Sequence, residues 1–255
     1  MARWIHRFAG VACMACAPVS PRSTPASAIP ASAAPAAANA SDVWWAPELG
    51  LSSLPAIPVR LRQSFADPYD TVASLNGNVD QKTVSNCNEY LQLLPLAYQP
   101  ITVNDGTRYK LEGSKCQAIK ALEAAKPAKQ KSLAQFSLQD ASVLSILPPL
   151  LGPTPSPLEA SQRERATQEG KSWLMADAGV QLEAVSSSRA KVVGLGWTTE
   201  IEVLARADFN GDSSEDLLIQ TLSYGTDGNW TEVKLRVLTQ VTGKSVLGIA
   251  LDIPV

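Results

Sequence analysis

Apolar and polar residues alternate along the chain from Val180 to its final residues. The apolar positions fall into five runs: Val180, Leu182 and Ala184; Ile201, Val203 and Ala205; Leu217, Leu218 and Ile219; Val233, Leu235 and Val237; Leu247, Ile249 and Leu251. Turn-forming residues at 194–196, 226–229 and 242–244 separate several of these runs. A period of two is typical of strands that bury one face, so the pattern predicts an antiparallel meander of about five strands.

Helical spacing occurs mainly before this region. Residues 87–94 carry Tyr90, Leu91 and Leu94 on one helical face and end at Pro95. A clearer helix is predicted from Cys116 through Ala125, because Ile119 and Leu122 share a face and Pro127 stops the pattern. The residues 67–70 and 76–78 have the composition of turns, and Asn104-Asp105-Gly106 predicts a hairpin between residues 101–103 and 108–111.

Two further helix starts flank a proline-rich stretch. Ser137 with Asp140 resembles a capping box, which predicts a short helix ending at residues 148–149. Ser156, followed by proline and then by Glu159, predicts a polar helix running to Gly170. Residues 152–155 between them form the best internal boundary. The fold class is therefore α+β, with a mainly helical part at 42–152 and a helix plus antiparallel sheet at 153–255; the alternative is one domain.

The first 41 residues have the composition of a leader and a tether. Residues 1–17 combine a basic start with a ten-residue apolar stretch, 8–17, which is too short to span a bilayer and is typical of a secretory signal peptide. Residues 10–13 resemble a degenerate lipobox, so Cys13 is a candidate for lipid attachment. Residues 18–41 are almost all Ala, Pro and Ser and predict a flexible tether. We expect export to the periplasm or the medium, with membrane contact only through such a lipid.

Two cysteines remain for the folded part, Cys87 and Cys116. In an exported chain the simplest expectation is a disulfide between them, which would join the helix at 116 to the segment near 87. The alternative is a pair of buried free thiols. No C-x-x-C spacing occurs in this region, so the expected role of the pair is structural.

Charge and histidine content exclude several functions. Residues 1–40 contain three of the 22 bases and none of the 24 acids, so the remaining chain has a net charge of −5. A mildly acidic body lacks the basic surface that nucleic acids require. The single histidine, His6, lies in the leader. The body therefore cannot form a Ser-His-Asp or Cys-His nucleophile, nor a histidine-ligated zinc or iron site.

The segment from Asp208 to Asp216, D-F-N-G-D-S-S-E-D, has the composition of a cation-binding loop. Side-chain oxygens occur at loop positions 1, 3, 5 and 9, which are Asp208, Asn210, Asp212 and Asp216, and the carbonyl oxygen of Ser214 follows at position 7. Carboxylate, amide and carbonyl oxygens are the ligands that Ca²⁺ takes. The loop is not an EF-hand, because position 12 is Ile219.

Residues 207–219 resemble the calcium loop of FG-GAP and VCBS-type repeats, D-x-[DN]-x-D-G-x-x-D before an apolar strand. The resemblance implies Ca²⁺ as the cofactor, held by these five residues between two strands. It covers only this loop, and the sequence contains no second copy, so a β-propeller is not implied. Ser213 replaces the glycine usual at position 6 and would have to adopt a tight, left-handed conformation at a cost of about 1–2 kcal/mol.

These features indicate an exported, non-enzymatic protein with a structural Ca²⁺ site that binds a protein or glycan partner or belongs to the cell envelope. One alternative is a carboxylate-dependent hydrolase of envelope glycans, using acids such as Asp70, Glu89 and Asp105 with Trp44 and Trp45 as a sugar platform. Another is an inhibitor or immunity-type protein. The residues select no particular partner.

Overall fold

A computed structural model describes residues 43–75, 77–102, 105–228 and 230–255. The predicted signal peptide, the tether and Cys13 lie outside these residues. From residue 43 onward the chain belongs to one compact unit. No helix in the described ranges is both long and apolar enough to cross a membrane.

The described chain contains ten strands and five α-helices. In chain order the strands are β1 Trp44–Trp45, β2 Ser64–Leu75, β3 Asn78–Asn86, β4 Gln99–Pro100, β5 Gln181–Ala184, β6 Arg189–Gly194, β7 Trp197–Ala207, β8 Asp216–Gly225, β9 Thr231–Thr239 and β10 Gly248–Ile253. The helices are α1 Ile57–Arg62, α2 Cys87–Leu93, α3 Asp105–Leu122, α4 Pro157–Gln168 and α5 Trp173–Ala176.

The predicted antiparallel meander is confirmed, and it has six strands. Strands β5 to β10 lie side by side in chain order, and every neighbouring pair is antiparallel. The additional strand is β6, whose residues include Ala190 and Val192. Strand β1 also joins this sheet, pairing Trp44 with Arg206 and Trp45 with Ala205 beyond the end of the β6–β7 ladder.

Both faces of the large sheet are buried, so the expectation of one buried face is wrong. Along β8, Leu217 and Ile219 enter one apolar cluster while Leu218 enters another on the opposite side. Both clusters contain buried residues from β9 as well, Leu238 in one and Leu235 in the other. A sheet covered on both sides has apolar residues at successive positions, which is why residues 217–219 form a continuous apolar run.

Helices α1 to α3 cover the first face, together with a small sheet in the order β3-β2-β4. The predicted Cys87–Cys116 disulfide is confirmed: it joins α2 to α3 with the two Cα atoms 5.1 Å apart, and both cysteines are buried. The predicted helix at 87–94 is confirmed as α2. Its cap is Asn86, whose side chain accepts the N–H of Glu89.

Three predictions for this part are wrong. Residues 105–111 belong to α3 and form no hairpin, and the helix expected to begin at Cys116 begins at Asp105 instead. An aspartate in the first turn stabilises a helix N-terminus. Asp105 is therefore compatible with the start of a helix as well as with a turn. The turn expected at residues 67–70 lies within β2, where the pairing with β3 shifts register between Ser64 and Tyr69.

Residues 126–151 with α4 and α5 cover the second face. The helix expected after Ser137 is a 3₁₀ turn, Ala141–Ser145, and its cap is Asp140 rather than Ser137. Ser156 caps α4 as predicted, accepting the N–H of Glu159. In the proline-rich stretch before it, Gly152 and Pro153 are buried.

Cations from β9 and α4 bind carbonyl groups of residues 149–153. The nitrogen of Lys234 donates to the carbonyl of Gly152 at 2.6 Å, and Arg236 donates to that of Leu150. Arg163 from α4 donates to the carbonyls of Pro149 and Pro153 at 3.1 and 2.7 Å. The 3₁₀ turn Pro149–Leu151 and the two residues after it keep buried backbone oxygens hydrogen-bonded in this way.

Candidate metal centre

The loop 208–216 connects β7 to β8 at the end where these two central strands pair. Ala207 lies opposite Asp216 in the ladder, so both ends of the loop are held by the sheet. The two predicted metal ligands at the ends of the loop are buried: Asp208 is 4% exposed and Asp216 is fully buried. Asp212, in the middle of the loop, is exposed. The loop is therefore fixed at its base and open to solvent at its tip.

The Asp208 carboxylate organises the first half of the loop. Its Oδ1 accepts the N–H of Gly211 at 2.6 Å, and its Oδ2 accepts the N–H of Ser213 at 3.0 Å. Both bonds turn the backbone around the side chain of position 1. Gly211 and Ser213 both have a positive φ, of 85° and 72°. The left-handed conformation predicted for Ser213 is thus confirmed, and Gly211 supplies a second one at no steric cost.

Asn210 and Asp212 continue the same pattern toward the tip. Asn210 Oδ1 accepts the N–H of Asp212 at 2.9 Å, and Asp212 Oδ1 accepts the N–H of Ser214 at 2.7 Å. The Asn210 amide also points inward, with its Nδ2 3.1 Å from Asp212 Oδ2 and 3.5 Å from Asp216 Oδ1. An amide N–H₂ placed between two carboxylates partly compensates their charge.

Asp216 is the last residue of the loop, and its side chain binds the backbone near the start of the loop. Its Oδ2 accepts the N–H groups of Phe209 at 2.9 Å and Asn210 at 3.3 Å. Burial raises the pKa of Asp216, and the nearby charge of Asp212 raises it further, although these N–H groups act in the opposite direction. Taking a carboxylate out of water disfavours its charged form unless a positive charge is close.

The carboxylate, amide and carbonyl oxygens of the loop are of the kind that Ca²⁺ takes as ligands. In the structure, the side-chain oxygens accept hydrogen bonds from the loop's own N–H groups. Within the described ranges, Asp208, Asp212 and Asp216 form no ion pair with a lysine or arginine. The same part of the chain contains no group of three or more His, Cys, Asp or Glu side chains close enough to hold a metal ion. Each carboxylate that accepts one N–H keeps further lone pairs that a cation could use.

A neighbouring segment that the sequence did not reveal lies along the outer edge of the loop. Residues 126–136, here called the strap, have no α-helix or strand of their own, yet Lys126 and Asp208 exchange two backbone hydrogen bonds of 3.0 and 2.8 Å. Lys129 and Gln130 both donate their N–H groups to the carbonyl of Ser213. Most of these contacts are made by backbone groups, so the lysine-rich run at 126–131 does not indicate them in the sequence.

Glu215 at position 8 belongs to this strap contact rather than to the candidate metal ligands. It is 5% exposed, and its Oε1 is 3.8 Å from the Lys131 nitrogen. Its Oε2 has no hydrogen-bond partner among the described residues. Arg206 lies close enough for its charge to be coupled to Glu215, and burial lowers the pKa of Arg206. The negative charge of Glu215 therefore balances the positive charges of Lys131 and Arg206 where the strap meets the loop.

The acids considered for a hydrolase have structural roles. Asp70 accepts the hydroxyl of Thr83, and the groove of about 230 Å³ beside it has no second carboxylate. Glu89 accepts the N–H of Ser85 at the start of α2, and Asp105 binds Arg108 within α3.

A carboxylate pair does line another groove, of about 390 Å³, where Glu200 and Glu202 stand two residues apart on β7. Each is bound by a cation from β6: Lys191 is 3.3 Å from Glu200, and Arg189 is 2.5 Å from Glu202. Both carboxylates of this pair are thus engaged in ion pairs with the neighbouring strand.

The two tryptophans considered as a sugar platform pack against the large sheet. Trp45 packs against the first apolar cluster and donates its Nε1–H to the carbonyl of Leu51 at 2.9 Å. Trp44 packs against the second cluster, with the Arg206 guanidinium 5.9 Å from its ring centre. Their side chains thus pack on opposite faces of the sheet.

Comparison with models of known protein families, with curated proteins and with solved structures finds no match for this chain.

Proposed function

We propose that this is an exported, non-enzymatic protein that carries a structural Ca²⁺ ion in the loop 208–216 and acts as a binding or envelope-associated domain. The observation that carries the proposal is the charge of the loop. Of the four carboxylates within these nine residues, Asp208, Asp212 and Asp216 pair with no described lysine or arginine, and Asp216 is fully buried. Such a group repels itself unless a cation neutralises it.

The ligands would be the side chains of Asp208, Asn210, Asp212 and Asp216 with the carbonyl oxygen of Ser214. A bound Ca²⁺ supplies two positive charges to this set. The residues of the chain already bring the loop into a tight form, because Asp208 and Asp216 accept backbone N–H groups from its first half. The benefit to the protein is a stable connection between its two central strands.

Export is supported by the composition of residues 1–41 and by the disulfide. A structural disulfide persists in oxidising compartments and is uncommon in the cytosol. Extracellular Ca²⁺ modules bind in the millimolar to sub-millimolar range, and a site with Ser213 in a strained conformation fits such a modest affinity. A protein or glycan partner is favoured over a nucleic acid by the net charge of −5 after residue 40.

Isothermal titration of Ca²⁺ into the purified protein tests the proposal. We expect binding in the micromolar to millimolar range that is lost in Asp212→Ala. The matched control is Asp227→Ala, because Asp227 is an exposed aspartate in the turn between β8 and β9 of the same sheet. The absence of binding heat in the wild-type protein would refute the metal site.

A further inference from the structure

We propose that Ca²⁺ binding in the loop fastens the strap, residues 126–136, over the second face of the sheet. This inference rests on the proposed Ca²⁺ site and assigns to it a responsive segment elsewhere in the chain. The strap follows α3 and precedes the 3₁₀ turn Ala141–Ser145. It carries two side chains of the second apolar cluster, Leu133 and Phe136, which are 5% and 7% exposed.

The strap depends on the loop for its backbone hydrogen bonds. Lys126 donates to the carbonyl of Asp208 at 3.0 Å and accepts the N–H of Asp208 at 2.8 Å. Lys129 and Gln130 donate to the carbonyl of Ser213 at 2.9 and 3.1 Å. The carbonyl of Gln130 accepts the N–H of Glu215 at 2.9 Å. Three of the first five residues of the strap therefore use loop residues as their backbone partners.

Each of these anchors is tied to a candidate ligand. Asp208 holds Lys126 through its backbone and supplies a carboxylate to the loop interior. Ser213 lies between Asp212 and Ser214, and its own N–H donates to the Asp208 carboxylate while its carbonyl accepts the strap. The backbone conformation of this one residue thus links the form of the loop to the attachment of the strap.

The far end of the strap is held differently. Arg206 on β7 donates to the carbonyl of Leu133 at 2.9 Å and to that of Phe136 at 2.8 Å. Its guanidinium also lies 5.8 Å from the Phe136 ring centre. These contacts come from the sheet itself, so they remain when the loop loosens. We therefore expect the response to Ca²⁺ to be largest in residues 126–130.

Two effects of Ca²⁺ on the strap oppose each other. Neutralising the loop removes the repulsion among its carboxylates and fixes the peptides that hold the strap. It also removes a weak attraction between these carboxylates and the lysines of the strap. The second effect is small, because Lys126 and Lys129 form no described ion pair and Lys131 pairs with Glu215, which is not a ligand. The first effect should dominate.

Hydrogen exchange with and without Ca²⁺, followed residue by residue, tests the inference. We expect the amides of Lys126, Lys129 and Gln130 to exchange at least about tenfold more slowly with Ca²⁺. The buried Ile119 in α3, which is held by its own helix, should change much less. Calcium titration of the same sample separates the two proposals. Binding heat with unchanged strap exchange would overturn the strap inference alone, whereas no heat would refute the metal site and the inference together.

The coupling must also act in reverse, because linkage between two sites is reciprocal. Lys129→Pro removes the N–H that Lys129 donates to the carbonyl of Ser213, so we expect it to lower the Ca²⁺ affinity about five- to tenfold. Phe136→Ala is the matched control, since Phe136 lies at the end of the strap that Arg206 holds, and it should change the affinity much less. Faster strap exchange with Ca²⁺, or an equal loss of affinity in both variants, would contradict the proposal.

Discussion

The phenol ring of Tyr90 on α2 lies against the backbone of Gly113 on α3. A Cβ atom built on Gly113 would stand 2.1 Å from the ring carbon Cζ and 2.2 Å from the hydroxyl oxygen. Tyr90 is 1% exposed and also packs on Tyr109, so its ring has no room to withdraw. This approach sets the distance between the two helices that the disulfide joins.

We expect Gly113→Ala to lower the free energy of unfolding by about 1–3 kcal/mol, because the added methyl overpacks a closed site. Gly106→Ala in the same helix is the control: a Cβ there meets nothing within 4 Å, so the better helix propensity of alanine should leave stability unchanged or slightly raised. Urea denaturation measures both. Equal free energies of unfolding for the two variants would show that the distance between α2 and α3 can increase without a loss of stability.

Ser213→Gly should stabilise the protein by about 0.5–1 kcal/mol, because glycine adopts the observed φ of 72° without strain. Part of the gain is offset by the greater freedom of glycine in the unfolded chain. Thermal unfolding without Ca²⁺ measures the effect. Ser214→Gly, at the neighbouring position where φ is not positive, should instead lose stability; a loss in both variants would argue against strain at Ser213.

Removing the disulfide should cost about 3–4 kcal/mol, as expected for a loop closed over a sequence separation of 29 residues. The double variant Cys87→Ala/Cys116→Ala is compared with the wild-type protein by thermal unfolding, with and without a reductant. The reductant should lower the melting temperature of the wild-type protein and leave the double variant unchanged. Insensitivity of the wild-type protein would mean that the bond contributes nothing to stability.

Lys234 should make stability rise with pH above about 8. Burial lowers its pKa to about 8, although Glu232 acts in the opposite direction. Because an unfolded lysine keeps its proton to a pKa of about 10.4, the unfolded chain binds more protons than the folded one between these values. Stability therefore increases as the pH rises through this interval. The tyrosines Tyr69 and Tyr109, whose pKa values burial raises to about 12, reverse the trend above pH 10.

The measurement is urea denaturation at pH 7.5 to 10 for the wild-type protein and for Lys234→Met. We expect the wild-type protein to gain about 2 kcal/mol relative to the variant over this range. Lys244→Met, at an exposed lysine in the turn before β10, should follow the wild-type curve. Parallel curves for Lys234→Met and the wild-type protein would show that Lys234 is protonated throughout.

The parts of the fold that could be predicted are those that local sequence determines. The strands β7 and β9 follow from alternation and β8 from a short apolar run, while α4 follows from Ser156 and Glu159, whose interaction spans a single turn. The Cys87–Cys116 pair could be predicted because few cysteines are available. In the candidate site, the left-handed Ser213 follows from the resemblance to calcium loops that have glycine at position 6.

The parts that could not be predicted depend on contacts between distant residues. Strand β3 is polar and exposed along most of its length, so its pairing with β2 leaves no alternating pattern. The first half of α3 is polar, and packing of Tyr109 in the core decides that it is helical. The strap meets the loop across more than 80 residues of sequence, between Lys126 and Asp208, and a lysine-rich run gives no sign of where it binds.

The arrangement of two covered faces has a consequence for the order in which the protein folds. The helices α1 to α3 bury their apolar side chains on Leu218, Leu235 and Val237, and the segment around Trp173 buries its own on Leu217 and Leu238. Both coverings are synthesised before the strands that they cover. Both apolar clusters therefore stay incomplete in a growing chain until β7 to β9 have been synthesised. Native folding requires the C-terminal quarter of the protein.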